Sequence, residues 1–257
     1  MIFLKKLIKK IFYLIGLDIR RRNTEINLST FNSIYLKKIR RNPIIFDVGA
    51  NQGQSIERFK KVFDDPIIHA FEPVEYEFNM LKKKYSDDKN VILNNFAVGE
   101  KNEQKDFYTT IKSSNSSFNK ITPNTDWLKT RSEQFNTNPE KFTTKVSKVE
   151  VITLDHYCLE KKINLIDILK IDTQGYEDKV LEGAQQIMSN DIISAIESEI
   201  MFDNVYEKYL TFSDLEKFLI PNNFRLCGIN ISNNNLFFGI LFYADVLYFN
   251  KKKFNLN

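Results

Sequence analysis

Short apolar runs recur along this chain, and amphipathic segments separate them. The apolar runs predict strands at residues 44–48, 67–71, 91–96, 166–171 and 192–197. Apolar residues spaced by three and four positions predict helices at residues 31–41, 55–63, 75–85 and 178–188. Two closing runs, at residues 224–229 and 246–249, flank an asparagine-rich turn and predict a final strand pair. Because strands that alternate with helices form a parallel sheet covered on both faces, we expect a doubly wound α/β domain.

The first predicted strand runs into a tight turn that contains Asp47, Gly49, Asn51 and Gly53. The second ends at Glu72, and the carboxyl ends of neighbouring parallel strands meet at one edge of a sheet. A carboxylate beside this turn suits a ribose, whose two hydroxyls need a pair of acceptors. A dinucleotide site would need glycine at positions 49, 51 and 54, and only the first is present. The turn therefore predicts either a nucleoside ligand without phosphate, such as S-adenosylmethionine, or a buried strand that binds no ligand.

A second strand, turn and helix of this kind occurs at residues 169–177, with Asp172 at the end of the strand. The chain also contains, in order, the motifs Asp47-Val48-Gly49-Ala50-Asn51-Gln52-Gly53, Phe71-Glu72-Pro73, Asn95-Phe96-Ala97-Val98-Gly99, Thr153-Leu154-Asp155, Leu169-Lys170-Ile171-Asp172-Thr173-Gln174-Gly175-Tyr176-Glu177 and Glu182-Gly183-Ala184. With these motifs, spread over residues 44–249, the chain resembles the FkbM family of methyltransferases. The family pattern usually has a glutamate where this chain has Gln174.

The resemblance implies a Rossmann-like class I methyltransferase fold. That fold has a mostly parallel seven-stranded sheet with helices on both faces, and its final strand pair is antiparallel in part. The resemblance also implies S-adenosylmethionine as the methyl donor. The residues expected to hold the donor are Asp47, Gly49, Asn51, Gly53 and Glu72, and those expected to flank its adenine are Asn95 and Ala97.

Three residues are candidates for activating an acceptor hydroxyl, which is a poor nucleophile while it is neutral. Asp172 ends a strand at the edge where open α/β sheets bind ligands, and Glu199 lies just beyond the next strand. His156 follows directly after Asp155 and could face the same cleft. The alternative for Asp172 is a structural role as a helix cap.

A divalent cation is a second way to activate the hydroxyl, because oxygen-rich sites suit magnesium or manganese. Asp172, Glu199 and Asp155 are the acids that could hold such an ion. Gln174 stands where an acid would complete the site, so we favour direct action of Asp172 and assign no metal ligands.

Residues 100–150 interrupt the alternation of strands and helices. Residues 106–111 predict an edge strand, and a serine- and asparagine-rich stretch at 113–117 precedes Trp127, Phe135 and Phe142. Loops longer than about 12 to 15 residues are usually functional or disordered. Aromatic rings together with hydroxyls and amides suit a sugar, so this insertion is expected to cover the acceptor site; a disordered surface loop is the alternative.

Composition restricts the partners and the cellular location. The net charge of +4 is too mild to indicate nucleic acid, and no basic stripe with interleaved aromatic residues occurs beyond the N-terminus. Cys158 and Cys227 are far apart and form no metal or disulfide motif, which favours free thiols in a cytoplasmic protein.

The N-terminal residues 1–22 predict a basic amphipathic helix that precedes a methyltransferase domain at residues 23–257. Lysines interrupt its apolar positions too often for a membrane span, which takes about 20 apolar residues. The segment is expected either to lie on the anionic inner face of the cytoplasmic membrane, to pack on the domain, or to bind a partner.

Together these features predict an S-adenosylmethionine-dependent O-methyltransferase that acts on a sugar hydroxyl. The resemblance points to a surface polysaccharide or a glycosylated metabolite, and the basic N-terminus favours a lipid-linked carbohydrate. Two alternatives stay open: an inactive nucleoside-binding or scaffold module, and an NAD-linked sugar oxidoreductase.

Overall fold

The computed structural model describes residues 31–231, 237 and 239–253, so the predicted helix at residues 1–22 lies outside the described part. The strands are β1 (Ile44–Val48), β2 (Ile67–Phe71), β3 (Val91–Asn94), β4 (Ala97–Val98), β5 (Glu103–Thr110), β6 (Thr143–Ile152), β7 (Ile166–Ile171), β8 (Ile193–Met201), β9 (Phe224–Asn230) and β10 (Tyr243–Asn250). The α-helices are α1 (Phe31–Lys38), α2 (Gln54–Val62), α3 (Glu75–Lys84), α4 (Asp126–Gln134), α5 (Leu154–Lys161), α6 (Glu177–Glu182), α7 (Gln185–Ser189) and α8 (Phe212–Leu219). Within the described residues, every helix is too short or too polar to cross a bilayer.

The main sheet has seven strands in the order β3-β2-β1-β7-β8-β10-β9. Strands β1, β2, β3, β7 and β8 are parallel, and β10 pairs antiparallel with both β8 and β9. The sheet confirms the expected Rossmann-like class I architecture. The order of the strands reverses between β1 and β7, and this is where open α/β sheets form a ligand cleft outside the carboxyl ends of their strands.

Two apolar cores cover the two faces of this sheet. Successive side chains of a strand point to opposite faces, so Phe46 and Leu169 pack in one core while Ile45 and Ile168 pack in the other. Helices α5, α6, α7 and α8 cover the first face, and α1, α2 and α3 cover the second. Each fully buried isoleucine or phenylalanine contributes about 1.5 to 3 kcal/mol, which makes the strands of the sheet a rigid base for the site.

The insertion at residues 100–150 is built of regular elements. Strands β5 and β6 form an antiparallel pair, β4 adds to β6 in parallel, and β5 is an edge of this three-stranded sheet. The edge strand predicted at residues 106–111 is thus confirmed, with the observed bounds Glu103–Thr110. An aromatic cluster of Phe107, Phe118 and Tyr176 packs the small sheet against the turn that follows β7.

The single helix predicted at residues 178–188 is wrong, because two short helices, α6 and α7, occupy this segment. At the break, a Cβ added to Gly183 would lie 2.0 Å from the carbonyl oxygen of Gly99. The first backbone N–H groups of α7, those of Gln186 and Ile187, donate to the carboxylate of Asp155 at 3.0 and 2.9 Å. The close contact between the backbones of Gly183 and Gly99 and the separate cap of α7 therefore divide this segment into two helices. The spacing of its apolar residues had predicted one continuous helix.

Candidate active site

A cavity of about 410 Å³ lies at the carboxyl ends of β1, β2 and β7, where the strand order reverses. The sheet contributes the turn after β1, the ends of β2 and β8, and the residues that follow β7. The insertion contributes the serine-rich segment at residues 112–116 and one side of helix α4. The cavity therefore lies between the two sheets.

The turn after β1 holds three strand ends together. The backbone N–H groups of Gly49 and Ala50 both donate to the carbonyl of Phe71, at 3.1 and 3.0 Å. The N–H of Asp172 donates to the carbonyl of Val48 at 3.0 Å. Gly49 has φ +88°, and a Cβ there would lie 2.0 Å from the carbonyl oxygen of Asp172. Only glycine fits this position, because both the dihedral angle and the contact exclude a side chain.

Glu72 is a buried carboxylate at one end of the cavity. Its Oε2 accepts from the N–H of Asn51 and its Oε1 from the N–H of Val74, both at 2.8 Å. Burial raises the pKa of Glu72 to about 7, although the two backbone N–H groups oppose the shift. Each carboxylate oxygen keeps a further lone pair, so the side chain can accept two more hydrogen bonds in a fixed orientation.

This end of the cavity fits the nucleoside part of S-adenosylmethionine. The pair of acceptors on Glu72 suits the two ribose hydroxyls. Val74, Ala97, Phe107 and Phe118 line the cavity beside it and belong to one apolar cluster, a surface that suits an adenine ring. The amide nitrogen of Asn51 donates to Oγ of Ser113 at 3.3 Å, which joins the turn to the insertion.

Two further carboxylates lie in the same cavity, and one glutamine connects them. Nε2 of Gln174 donates to Oδ1 of Asp172 at 3.0 Å and to Oε2 of Glu199 at 2.8 Å. The hydroxyl of Tyr206 donates to Oε1 of Gln174 at 2.9 Å, which fixes the orientation of the amide. Nζ of Lys170 donates to Oδ2 of Asp172 at 3.1 Å.

The two carboxylates differ in charge state. Burial tends to raise the pKa of Asp172, but the charge of Lys170 and the hydrogen bonds from Gln174 and Lys170 outweigh it, so this pKa lies below its usual value. Burial and the neighbouring charge of Asp172 raise the pKa of Glu199 well above its usual value. The ionised form of Asp172 is therefore favoured, whereas burial and the charge of Asp172 favour the protonated form of Glu199.

The cavity brings together a subset of the residues predicted from the sequence. Those that line it are Gly49, Asn51, Glu72, Ala97, Asp172 and Glu199. Gly53 instead starts α2, with φ 85°. The side chain of Asn95 donates to the backbone carbonyl of Glu72 at 3.0 Å, so it positions Glu72 and does not line the cavity.

Asp47 is fully buried below the cavity. Its Oδ1 lies 3.9 Å from Nζ of Lys170, and among the described residues neither carboxylate oxygen has a hydrogen-bond partner. Burial raises the pKa of Asp47 to about 6. Asp47, predicted to hold the donor, therefore lies outside the lining of the cavity and next to Lys170, which in turn binds Asp172.

His156 was predicted as a catalytic residue, and it does not line the cavity. It lies in the first turn of α5, where its N–H donates to Oγ1 of Thr153, and its side chain is half exposed with Nε2 3.9 Å from Glu160. Asp155, the third acid of the cation alternative, caps α7. Across the described residues, no group of three or more histidine, cysteine or acidic side chains is placed to hold a metal ion.

The sequence analysis missed several residues that line the cavity. They are Lys112, Arg131, Lys170, Met201, Tyr243 and Asp245. The sequence does indicate that Lys170 lies at the site, because it precedes Asp172 by two positions and strand periodicity places both on one face. Asp245 could also be noticed in the sequence, since it is an acid within a mostly apolar strand.

Comparison with known proteins identifies the family. The family model described as the methyltransferase FkbM domain matches residues 47–228. No curated protein sequence matches the chain significantly. Three solved structures that align with the chain have low identity and TM-scores below 0.5, so they carry no information about its acceptor.

The first is an rRNA methylase from Streptococcus thermophilus, with 11% identity and a TM-score of 0.44 over 85% of this chain and 93% of that one. The second is a 1,6-didemethyltoxoflavin-N1-methyltransferase from Burkholderia thailandensis, with 10% identity and a TM-score of 0.45 over 85% of this chain and 76% of that one. The third is a magnesium protoporphyrin IX methyltransferase from Synechocystis PCC 6803, with 8% identity and a TM-score of 0.43 over 95% of this chain and 76% of that one. Because the family model spans most of the chain, the protein belongs to the FkbM family and is an S-adenosylmethionine-dependent methyltransferase.

Proposed function

We propose that this methyltransferase transfers the methyl group to a hydroxyl of a sugar, in a surface polysaccharide or a glycosylated metabolite. The observation that supports this acceptor most directly is the position of Asp172. It is an ionised carboxylate in the cavity that also contains Glu72 and the rings of Trp127 and Phe135.

Each end of the cavity has a separate role in this proposal. Glu72 binds the ribose of the donor, the backbone turn at Gly49 and Asn51 lies against the nucleoside, and Ala97 borders the adenine. When bound, S-adenosylmethionine supplies an electrophilic methyl group on a positively charged sulfur. The protein's part is to orient the acceptor oxygen in line with that methyl group and to remove the proton of the hydroxyl.

Asp172 is the base that receives this proton. Its two oxygens already accept from Gln174 and Lys170, which fixes the carboxylate plane and leaves a free lone pair on each oxygen. Asp172 would take up the hydroxyl proton as the acceptor oxygen bonds to the methyl carbon, the carbon–sulfur bond breaks and S-adenosylhomocysteine leaves. Burial and the charge of Asp172 favour the protonated form of Glu199, in which this side chain can donate a hydrogen bond to a second hydroxyl of the acceptor.

The insertion supplies a wall that suits a carbohydrate. Trp127 and Phe135 offer flat apolar faces against which the C–H groups of a sugar can pack. Ser113, Ser114 and Asn115 offer hydroxyl and amide groups for its hydroxyls. These aromatic and polar side chains support the expectation that the insertion covers the acceptor.

Methyl transfer to a panel of saccharides, followed by mass spectrometry of the products, tests this proposal. We expect products that carry one added methyl group in an alkali-stable ether. Methyl esters would instead be released by mild alkali. Products methylated only on a carboxylate or a nitrogen would contradict the hydroxyl acceptor.

The role of Glu72 predicts a loss of donor affinity in Glu72→Ala. Loss of hydrogen bonds to a charged group should weaken the binding of S-adenosylhomocysteine by about 1.5 to 3 kcal/mol in calorimetry. Glu75→Ala removes an exposed acid of the same charge outside the cavity and should bind normally. Equal affinities of the two variants would refute the assignment.

The pKa of Glu72 also predicts a pH dependence. The ribose hydroxyls favour the ionised carboxylate, whose pKa in the free protein is about 7. Affinity should therefore be full above this pKa and should fall as the pH falls through it, because binding must then release a proton. The part of this slope that belongs to Glu72 should be missing in Glu72→Ala.

A further inference from the structure

Arg131 lines the acceptor side of the cavity, and its guanidinium group is only partly used. The group lies over the ring of Trp127, with 5.8 Å between Cζ and the ring centroid. Its Nη1 donates to the side chain of Gln134 at 3.0 Å. Its Nε is buried and has no hydrogen-bond partner among the described residues. Nε and Nη2, which form one edge of the guanidinium, thus have no hydrogen-bond partner among the described residues.

The charges around Arg131 indicate what kind of ligand this edge binds. No acid in the described part of the chain forms an ion pair with Arg131 or with Lys112, a second cation that lines the cavity. In contrast, Lys170 in the same cavity is paired with Asp172 and Asp47. Asp172 is paired with Lys170, and burial raises the pKa values of Glu199 and Asp245, which lessens the repulsion of an incoming anion. Glu72, the fourth acid that lines the cavity, lies at its donor end.

We propose that Arg131, together with Lys112, binds an anionic group of the acceptor, so that the sugar is an acidic one that carries a carboxylate or a phosphate. This inference rests on the proposed function and specifies its substrate class. Two parallel N–H donors on one edge of a guanidinium match the two oxygens of a carboxylate or phosphate. The ring of Trp127 holds the guanidinium plane in place, and it also offers a surface to the sugar that carries the anion.

The only tryptophan of the chain provides a direct measurement, because it lies against Arg131. We would titrate the protein, saturated with S-adenosylhomocysteine, with methyl glucoside, methyl glucuronide and glucose 6-phosphate, and follow the fluorescence of Trp127. At least one of the two anionic probes should bind about tenfold or more tightly than the neutral glucoside, since hydrogen bonds to charged groups are worth this much. The probe that binds tighter distinguishes a carboxylate from a phosphate.

Substitutions then assign this preference to the two cations. Arg131→Gln should remove most of the preference for the anionic probe and leave the binding of S-adenosylhomocysteine unchanged. Lys129→Gln, an exposed position on the same helix outside the cavity, makes the same charge change and should keep the preference. Lys112→Gln, which changes an exposed residue and spares the core, should reduce the preference by a smaller factor.

Equal binding of the neutral and anionic probes to the wild-type protein would overturn the inference, as would a preference that survives in Arg131→Gln. Neither result affects the proposed function, which is judged by the formation of methyl ethers. Conversely, a preference that depends on Arg131, together with products methylated on another kind of atom, would support the anion site and refute the sugar hydroxyl as the acceptor.

Discussion

Replacing Asp172 with asparagine should lower turnover by about 100-fold or more and leave donor affinity within a few-fold. Asparagine has the same shape and can still accept from Gln174, but its amide nitrogen replaces Oδ2 and gives up the hydrogen bond from Lys170. It cannot take up the proton of the acceptor hydroxyl. Single-turnover measurements with saturating donor would separate this chemical step from binding and product release.

Glu199→Gln is the matched control for Asp172→Asn. Both substitutions convert an acid that Gln174 contacts into its amide. Because burial and the charge of Asp172 raise the pKa of Glu199, glutamine resembles the favoured protonated form, and turnover should fall by much less than in Asp172→Asn. Full activity in Asp172→Asn would refute the assignment of the base.

Chelation tests the second way of activating the hydroxyl. If Asp172 acts directly, EDTA should leave wild-type turnover unchanged. Turnover that EDTA abolishes and magnesium restores would instead assign Asp172 and Glu199 to a cation site. Asp155 would not complete such a site, because its carboxylate caps α7.

Gly49→Ala should lower the free energy of unfolding by about 3 kcal/mol or more, the sum of a left-handed residue and an overpacked contact. The added Cβ would lie 2.0 Å from the carbonyl oxygen of Asp172, and φ is +88°. The turn can relieve the contact only by moving away from β7, so binding of S-adenosylhomocysteine should weaken as well. Urea denaturation and calorimetry measure the two effects.

Substitutions at two other glycines separate the cost of the left-handed conformation from the cost of the backbone contact. Gly239 has φ +79° with no described atom within 4 Å of an added Cβ, so Gly239→Ala should cost only about 1 to 2 kcal/mol for the left-handed conformation. Gly183 has φ −80° but the same 2.0 Å contact with a backbone oxygen, so Gly183→Ala reports the contact alone. If Gly49→Ala lowers the free energy of unfolding no more than Gly239→Ala does, the turn after β1 can move to accommodate the added Cβ.

Local pattern predicted the central strands well. The predicted bounds of β1, β2 and β7 match the structure, because each is an apolar run with a polar residue or a turn at its end. Strand β8 was predicted to end at residue 197, but it continues to Met201. Ser198 and Glu199 are polar yet buried within the strand, so the polarity of these positions did not mark the end of the strand.

The sequence predicted which residues line the cavity where a residue's position depends only on the strand that precedes it. Glu72 and Asp172 directly follow β2 and β7, and the edge of a parallel sheet brings such residues together. His156 does not reach the cavity, because it follows a strand of the small sheet and lies on the exposed side of the first turn of α5. Arg131 could not be found, because only the tertiary position of α4 brings this helix to the cavity.

The order of the main sheet also affects how this domain is completed during synthesis. Strand β10 lies between β8 and β9, although it follows both in the chain, and β9 pairs with β10 alone. A ribosome therefore releases β9 before the strand that will hold it exists. Until Tyr243 and the residues after it emerge, β8 has one open edge, and its row of unpaired backbone groups is exposed to any other extended chain nearby.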